Sequence, residues 1–195
     1  MDQYSPLISR VIRGGADLAR PDDRGEFRVT QGSPALSVMT DLSLVDAACI
    51  ALHASMDVAN QTMIQLGVRL LFVKGADGHL AGLITATDIL GEKPMRVVQE
   101  RGLKHDEISV DDLMTPVSQL DALSFEEVSH AQVGHVLASL RKAGRLHTLV
   151  VERGAGGRQL VRGIFSTSQI ARQLGRPINT AYAAPTFSEL VSQLA

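Results

Sequence analysis

The pattern of apolar and polar positions changes near residue 40. Before it, the first 35 residues are polar and broken by Gly14-Gly15, Pro21-Asp22-Asp23, Gly25 and Gly32-Ser33-Pro34. This stretch predicts a short helix near Tyr4–Arg13 and then a loosely held arm. From about residue 40 to 175, dense apolar runs follow, and they occur twice in the same order. In the first copy, Ala47–Leu52 reads as a strand. Ser55 is placed to cap a helix whose apolar positions Met56, Ala59, Met63 and Leu66 recur at three- and four-residue spacing, and Gly67 is placed to stop it. Leu70-Leu71-Phe72-Val73 is too continuous to have one wet face, so it predicts a strand covered on both sides. A turn at Gly75-Ala76-Asp77-Gly78 leads to a returning strand, Leu80–Ile84, and Thr85-Ala86-Thr87-Asp88 opens a second helix.

The second copy runs through a strand around Gln119–Leu123 and then a helix with Val133, Val136, Leu137 and Leu140 on one face, stopped at Gly144. A buried strand, Thr148–Val151, follows. The turn Gly154–Gly157, the strand Leu160–Phe165 and a helix opened by Ser166-Thr167-Ser168 complete the copy. Gly82, Thr85 and Asp88 recur as Gly163, Ser166 and Gln169. Counted from Val73 to Gly82 and from Val151 to Gly163, the second hairpin is longer by three residues. Each copy is a β-α-β-β-α unit, and the order is that of an internal duplication. A unit of about 55 residues is marginal alone, so two would share a core. The connection Gly91–Thr115 predicts helices near Met95–Glu100 and Val110–Met114. After Pro177, Pro185 can start an amphipathic helix with Phe187, Leu190, Val191 and Leu194 on one face.

Composition narrows the classes of function. Nineteen basic residues against 21 acidic ones give a net charge of −2, which argues against broad nucleic-acid binding. Aromatics are 4% with no Trp, too few for a stacking platform on single strands. The single cysteine, Cys49, lies in an apolar run and reads as an inert core residue. It excludes an internal disulfide and a multi-cysteine zinc site. The six histidines lack metal-ligand spacing. No apolar run reaches the roughly 20 residues of a membrane helix, and no secretory signal opens the chain, so a cytoplasmic protein is expected.

The segments Gly82-Leu83-Ile84-Thr85-Ala86-Thr87-Asp88-Ile89 and Gly163-Ile164-Phe165-Ser166-Thr167-Ser168-Gln169-Ile170 resemble the Gly-h-h-Thr/Ser-x-x-Asp-h signature of cystathionine-β-synthase (CBS) domains, where h is apolar. Gly67-Val68-Arg69, Gly144-Arg145-Leu146-His147 and Met114-Thr115-Pro116 add to the likeness. Over residues 40–175 the chain is similar to a tandem CBS pair, a Bateman module. The resemblance implies an α+β fold (α/β-like) of two β-α-β-β-α repeats related by a pseudo-two-fold axis. The expected divisions are an N-terminal helix and arm at 1–39, repeat 1 at 40–94, a linker at 95–109, repeat 2 at 110–176 and a C-terminal helical tail at 177–195. It further implies a regulatory module, not an enzyme, that requires no cofactor. The expected ligand is AMP, ADP, ATP or S-adenosylmethionine, bound in clefts between the repeats. A homodimer is expected, signalling by conformational change, through oligomerisation or to a protein partner in trans, because no catalytic domain is fused to the pair; the alternative is a structural dimer module without ligand. Neither nucleic acid nor membrane is an expected partner.

The nucleotide-binding set implied by the resemblance is Gly82, Ile84, Thr85, Thr87, Asp88, Arg69, Thr115 and Leu120, the last two supplied by the other repeat. The chemistry suits these residue types. Gly82 lets a strand backbone approach a ligand closely. Thr85 offers a hydroxyl and an N–H to a phosphate at a helix start. Asp88 can accept from both hydroxyls of a ribose, and Arg69 can bind phosphate bidentately. A second, weaker cleft would hold Ser166, Ser168, Gln169 and His147. There Gln169 lacks the charge of Asp88, and His147 stands near the place of Arg69. Simpler readings remain beside these. Thr85 and Asp88 also fit a helix cap worth about 1 kcal/mol with no ligand. Arg69 also fits a structural or dimer-interface role, and His147 a partly buried structural histidine. The basic group Arg141-Lys142-Arg145 reads as a solvated helix end.

Overall fold

The computed structural model describes residues 29–178. The helices expected near Tyr4–Arg13 and from Pro185 onward lie outside the described residues. Local chemistry sets the main elements. Ser55 caps α1 (Met56–Leu66) by accepting from the Val58 N–H at 3.3 Å, and Gly67 ends it at φ 64°. Met56, Ala59 and Met63 are buried as their spacing predicts, but Leu66, in the last turn, is 55% exposed. The run Leu70–Lys74 forms β3, and its side chains divide by parity. Leu71 and Val73 pack with α1, while Leu70 and Phe72 face the opposite way into the contact between the two sheets.

One sheet has the order β2 (Cys49–Ala51), β3, β4 (Leu80–Thr85) and β5 (Thr115–Pro116). The other has the order β1 (Thr40–Asp41), β8 (Gln159–Ser166), β7 (His147–Arg153) and β6 (Ala122–Ser124). The edge strands are exchanged between repeats. β1 opens repeat 1 but pairs with β8, and β5 lies at the start of repeat 2 but pairs with β4. This reciprocity is the arrangement of a pseudo-two-fold pair. Both signature glycines serve it. A Cβ on Gly82 would run into the Thr115 carbonyl oxygen, and one on Gly163 would meet the Thr40 carbonyl oxygen at 2.8 Å and Met39 Sδ at 2.7 Å. The close approach that Gly82 permits is therefore that of β5.

Helices cover the outer face of each sheet. α1, α2 (Ala86–Leu90), α3 (Lys93–Arg101) and α4 (Val110–Leu113) pack on the first sheet around Leu71, Ile84 and Leu113. α5 (Phe125–His130), α6 (Val133–Ala143) and α7 (Thr167–Leu174) pack on the second around Leu137, Val150, Phe165 and Ile170. Leu70, Phe72, Leu83, Leu149 and Ile164 join the two sheets, with Cys49 packed beside them.

The sequence differs from the fold in three places. Residues 29–35, read as part of a loose arm, are docked on repeat 2. Ala35 and Val38 are fully buried in its core, and the arm's backbone bonds Ala131, Val133 and Gly134. Those bonds occupy a break between α5 and α6 at Ala131–Gln132, which leaves backbone groups free for the arm. The ladder also pairs Gly163 with Val150, where repeat 1 pairs Gly82 with Val73, so the second hairpin is four residues longer, not three. His147 consequently takes the place of Leu70, and Leu146 that of Arg69: His147 opposes Ser166 as Leu70 opposes Thr85.

Candidate functional site

Where β4 passes into α2, Thr85 and Asp88 cap the helix reciprocally. The Asp88 N–H donates to Thr85 Oγ1 at 3.3 Å, while the Thr85 N–H and hydroxyl both donate to Asp88 Oδ2, at 2.9 and 2.7 Å. Asp88 Oδ1 accepts from Lys93 Nζ at 3.1 Å, and the same ammonium donates to the Leu113 carbonyl. The cap is not by itself a ligand site. Ser109 and Asp112 form the same reciprocal arrangement at α4, but Asp112 does not line the cavity between the repeats. Asp88 differs because it does.

That cavity holds about 930 Å³ and lies between the repeats. From repeat 1 it is bordered by Arg69, Thr85, Thr87 and Asp88, and from the leading segment of repeat 2 by Thr115, Gln119, Leu120 and Asp121. Arg145, Leu146 and His147 close another side, and Thr167, Ser168, Pro177 and Ile178 a further one. Its charges are unevenly paired. Arg145 bonds Asp121 Oδ2 at 3.1 Å and the Gln119 carbonyl at 3.2 Å. Arg69 makes no salt bridge among the described residues. It stands close enough to His147 to act on its charge: burial, and then the nearby Arg69 cation, hold the imidazole below its ordinary pKa.

The two expected residue sets therefore meet in one space. Arg69, Thr85, Thr87, Asp88, Thr115 and Leu120 from the first set share a cavity with His147 and Ser168 from the second. Gly82 lies against β5, and the Ile84 side chain is fully buried in the first core. Ser166 and Gln169 do not border the cavity. Ser166 Oγ lies 2.9 Å from Ser168 Oγ, and Gln169 Oε1 accepts from Thr40 Oγ1 at 3.0 Å. Sequence reasoning missed Gln119, Asp121, Arg145, Pro177 and Ile178 as cavity residues. Arg145 was detectable, because it directly follows the stop glycine that precedes a buried strand. A second hollow, of about 750 Å³, lies beside the second hairpin at Phe125, Glu126, Glu152 and Gln159, and contains none of the expected residues.

Comparison with known proteins agrees with this architecture. The CBS domain family model matches residues 35–94. No match was found among curated proteins. Among solved structures, an uncharacterized conserved protein from Pyrococcus horikoshii is 25% identical, with a TM-score of 0.54 over 78% of this chain and 100% of its own. CBSX2 of Arabidopsis thaliana, solved in complex with AMP, is 20% identical with a TM-score of 0.51 over 72% of this chain and 95% of its own. A CBS-domain containing protein from Agrobacterium tumefaciens is 20% identical with a TM-score of 0.51 over 74% and 96%. With a CBS domain matched at residues 35–94 and the same strand exchange repeated in the second half, the chain has the fold of a tandem CBS pair.

Proposed function

We propose that this CBS pair is a regulatory adenine-nucleotide sensor. It binds an adenosine-containing ligand (AMP, ADP, ATP or S-adenosylmethionine) in the cavity between the repeats. The observation that carries this reading is a carboxylate already oriented by Thr85, on the same cavity wall as an arginine with no ion partner among the described residues. A ribose hydroxyl suits the acceptor site left on Asp88 Oδ1, and a phosphate suits Arg69. Leu70, Leu83, Leu120 and Ile178 supply apolar surface for a base. CBSX2, which shares the fold, binds AMP. The protein acts by conformational change, not by catalysis. Ligand shifts the balance between arrangements of the two repeats only by its differential affinity for them. The output passes through self-association as a homodimer, or to a protein partner.

A thermal-shift series with AMP, ADP, ATP, S-adenosylmethionine and NAD tests the reading. Ligand at about 100 times its dissociation constant adds roughly 2.7 kcal/mol of stability. The expected result is a clear shift that is lost in Asp88→Ala. No shift with any of the five overturns the sensor reading. The alternative then stands: a structural dimer module that has lost its ligand. One observation favours that role for the second cleft, where Thr40 and Gln169 satisfy each other.

A further inference from the structure

We propose that Lys93 is the positioning residue of the nucleoside cleft, holding the Asp88 carboxylate from behind and linking it to the opposite wall. This rests on the reading of Asp88 as the ribose acceptor. Lys93 begins α3, in the connection between the repeats. Its ammonium bonds Asp88 Oδ1 and the carbonyl of Leu113, two residues before Thr115. Asp88 and Thr115 border the cavity, whereas Lys93 and Leu113 do not. Lys93 thus reaches the carboxylate from the side away from the cavity and leaves the cavity open. A carboxylate oxygen has two acceptor sites. Oδ2 is taken twice by Thr85, but Oδ1 keeps one site free while Lys93 stays in place. A ribose hydroxyl then meets a carboxylate whose direction is fixed by three donors.

The second repeat is the internal comparison. The ladders place Gln169 in the position of Asp88 and Thr40 in that of Thr115. Leu174 follows Gln169 at the interval at which Lys93 follows Asp88. Without an ammonium there, Thr40 bonds Gln169 directly, wall to wall, and neither borders the cavity. In the first cleft, Asp88 and Thr115 make no bond to each other and both border the open space. The route through Lys93 and the Leu113 carbonyl keeps those walls joined without closing the gap between them.

Calorimetric titration of the full chain with AMP and with 2′,3′-dideoxyadenosine monophosphate tests this. Lys93→Met keeps the stem and removes the charge; Lys93→Arg restores the charge. The expected result is that Lys93→Met weakens AMP by roughly tenfold or more. Lys93→Arg should recover most of the loss, and the dideoxy ligand, with no ribose hydroxyl for Asp88, should be affected little by either. AMP binding that is unchanged in Lys93→Met, or an equal loss for both ligands, overturns the positioning role while leaving the sensor reading intact. A wild type that binds no AMP overturns both. Nitrogen NMR of the wild-type Lys93 ammonium needs no variant. Its protons should exchange slowly in the free protein and stay slow with AMP bound, and loss of that protection on binding overturns the proposal.

Discussion

Arg162 holds Asp41 by two parallel bonds, Nε to Oδ1 and Nη2 to Oδ2, both 2.8 Å long. A third guanidinium nitrogen reaches Glu152 Oε2 at 3.3 Å, and the group lies 4.7 Å from the centre of the Phe125 ring. The pair fastens β1 to β8, so it closes the edge of the second sheet with a strand from the start of repeat 1. The Arg162 bonds, and then those from Ser43, hold the Asp41 carboxyl well below the usual carboxylate range. A lowered carboxylate stabilises the fold above its unfolded value of about 3.9, and that contribution is lost as pH falls toward the folded value. The wild-type thermal midpoint should therefore fall more steeply below about pH 4 than that of Asp41→Asn. Parallel curves for the two proteins would mean that the pair is not stabilising.

Gly163→Ala probes the same strand from the other side. The new methyl would press on the Thr40 carbonyl oxygen and Met39 Sδ. The expected cost is roughly 1–3 kcal/mol in urea unfolding. Faster amide exchange should be confined to β1 and β8. Gly82→Ala should do the same to β5 and β4, because Thr115 blocks a Cβ there.

His147 gives a second pH dependence, at milder pH. Burial and then the Arg69 charge lower its pKa, so the unfolded chain takes up a proton that the folded one refuses. Stability from the neutral imidazole is complete above its unfolded value of about 6.5 and is lost as pH falls below it. Wild type should lose thermal stability as pH falls below about 6.5 relative to His147→Gln. Arg69→Met should move the His147 titration, followed by proton NMR, upward toward its ordinary value. A titration unmoved by that change would show that Arg69 does not act on His147.

Much of the fold was legible because it rests on local periodicity. α6 shows this in Val133, Val136, Leu137 and Leu140, all at most 1% exposed, and β3 shows it in four consecutive buried residues. The Thr85–Asp88 cap was legible for the same reason: its partners are three residues apart. The exchanged strands were legible only through the family resemblance, which supplied Thr115 from the other repeat; β1 and β5 have two residues each, too few for any period. The break at Ala131–Gln132 contains neither Gly nor Pro, and the arm that fills it comes from far earlier in the chain. Lys93 was missed because it meets Asp88 through a turn between helices, where helical spacing gives no guide.

The two clefts should answer differently to the same substitution at equivalent threonines. Thr40 Oγ1 bonds Gln169 Oε1, whereas the Thr115 side chain makes no hydrogen bond among the described residues. Thr40→Val removes a partly buried bond and leaves an amide oxygen unpartnered, which costs about 1 kcal/mol or somewhat more. Thr115→Val removes no bond, so the ligand-free protein should stay within about 0.5 kcal/mol of wild type in urea unfolding. With AMP present the order should reverse. Thr115→Val loses part of the ligand-induced thermal shift, because Thr115 borders the open cavity and its hydroxyl has no partner among the described residues, while Thr40→Val keeps the full shift over a lower baseline. Equal losses of the AMP shift in both variants would mean that both clefts take ligand, and that the Thr40–Gln169 bond opens to admit it.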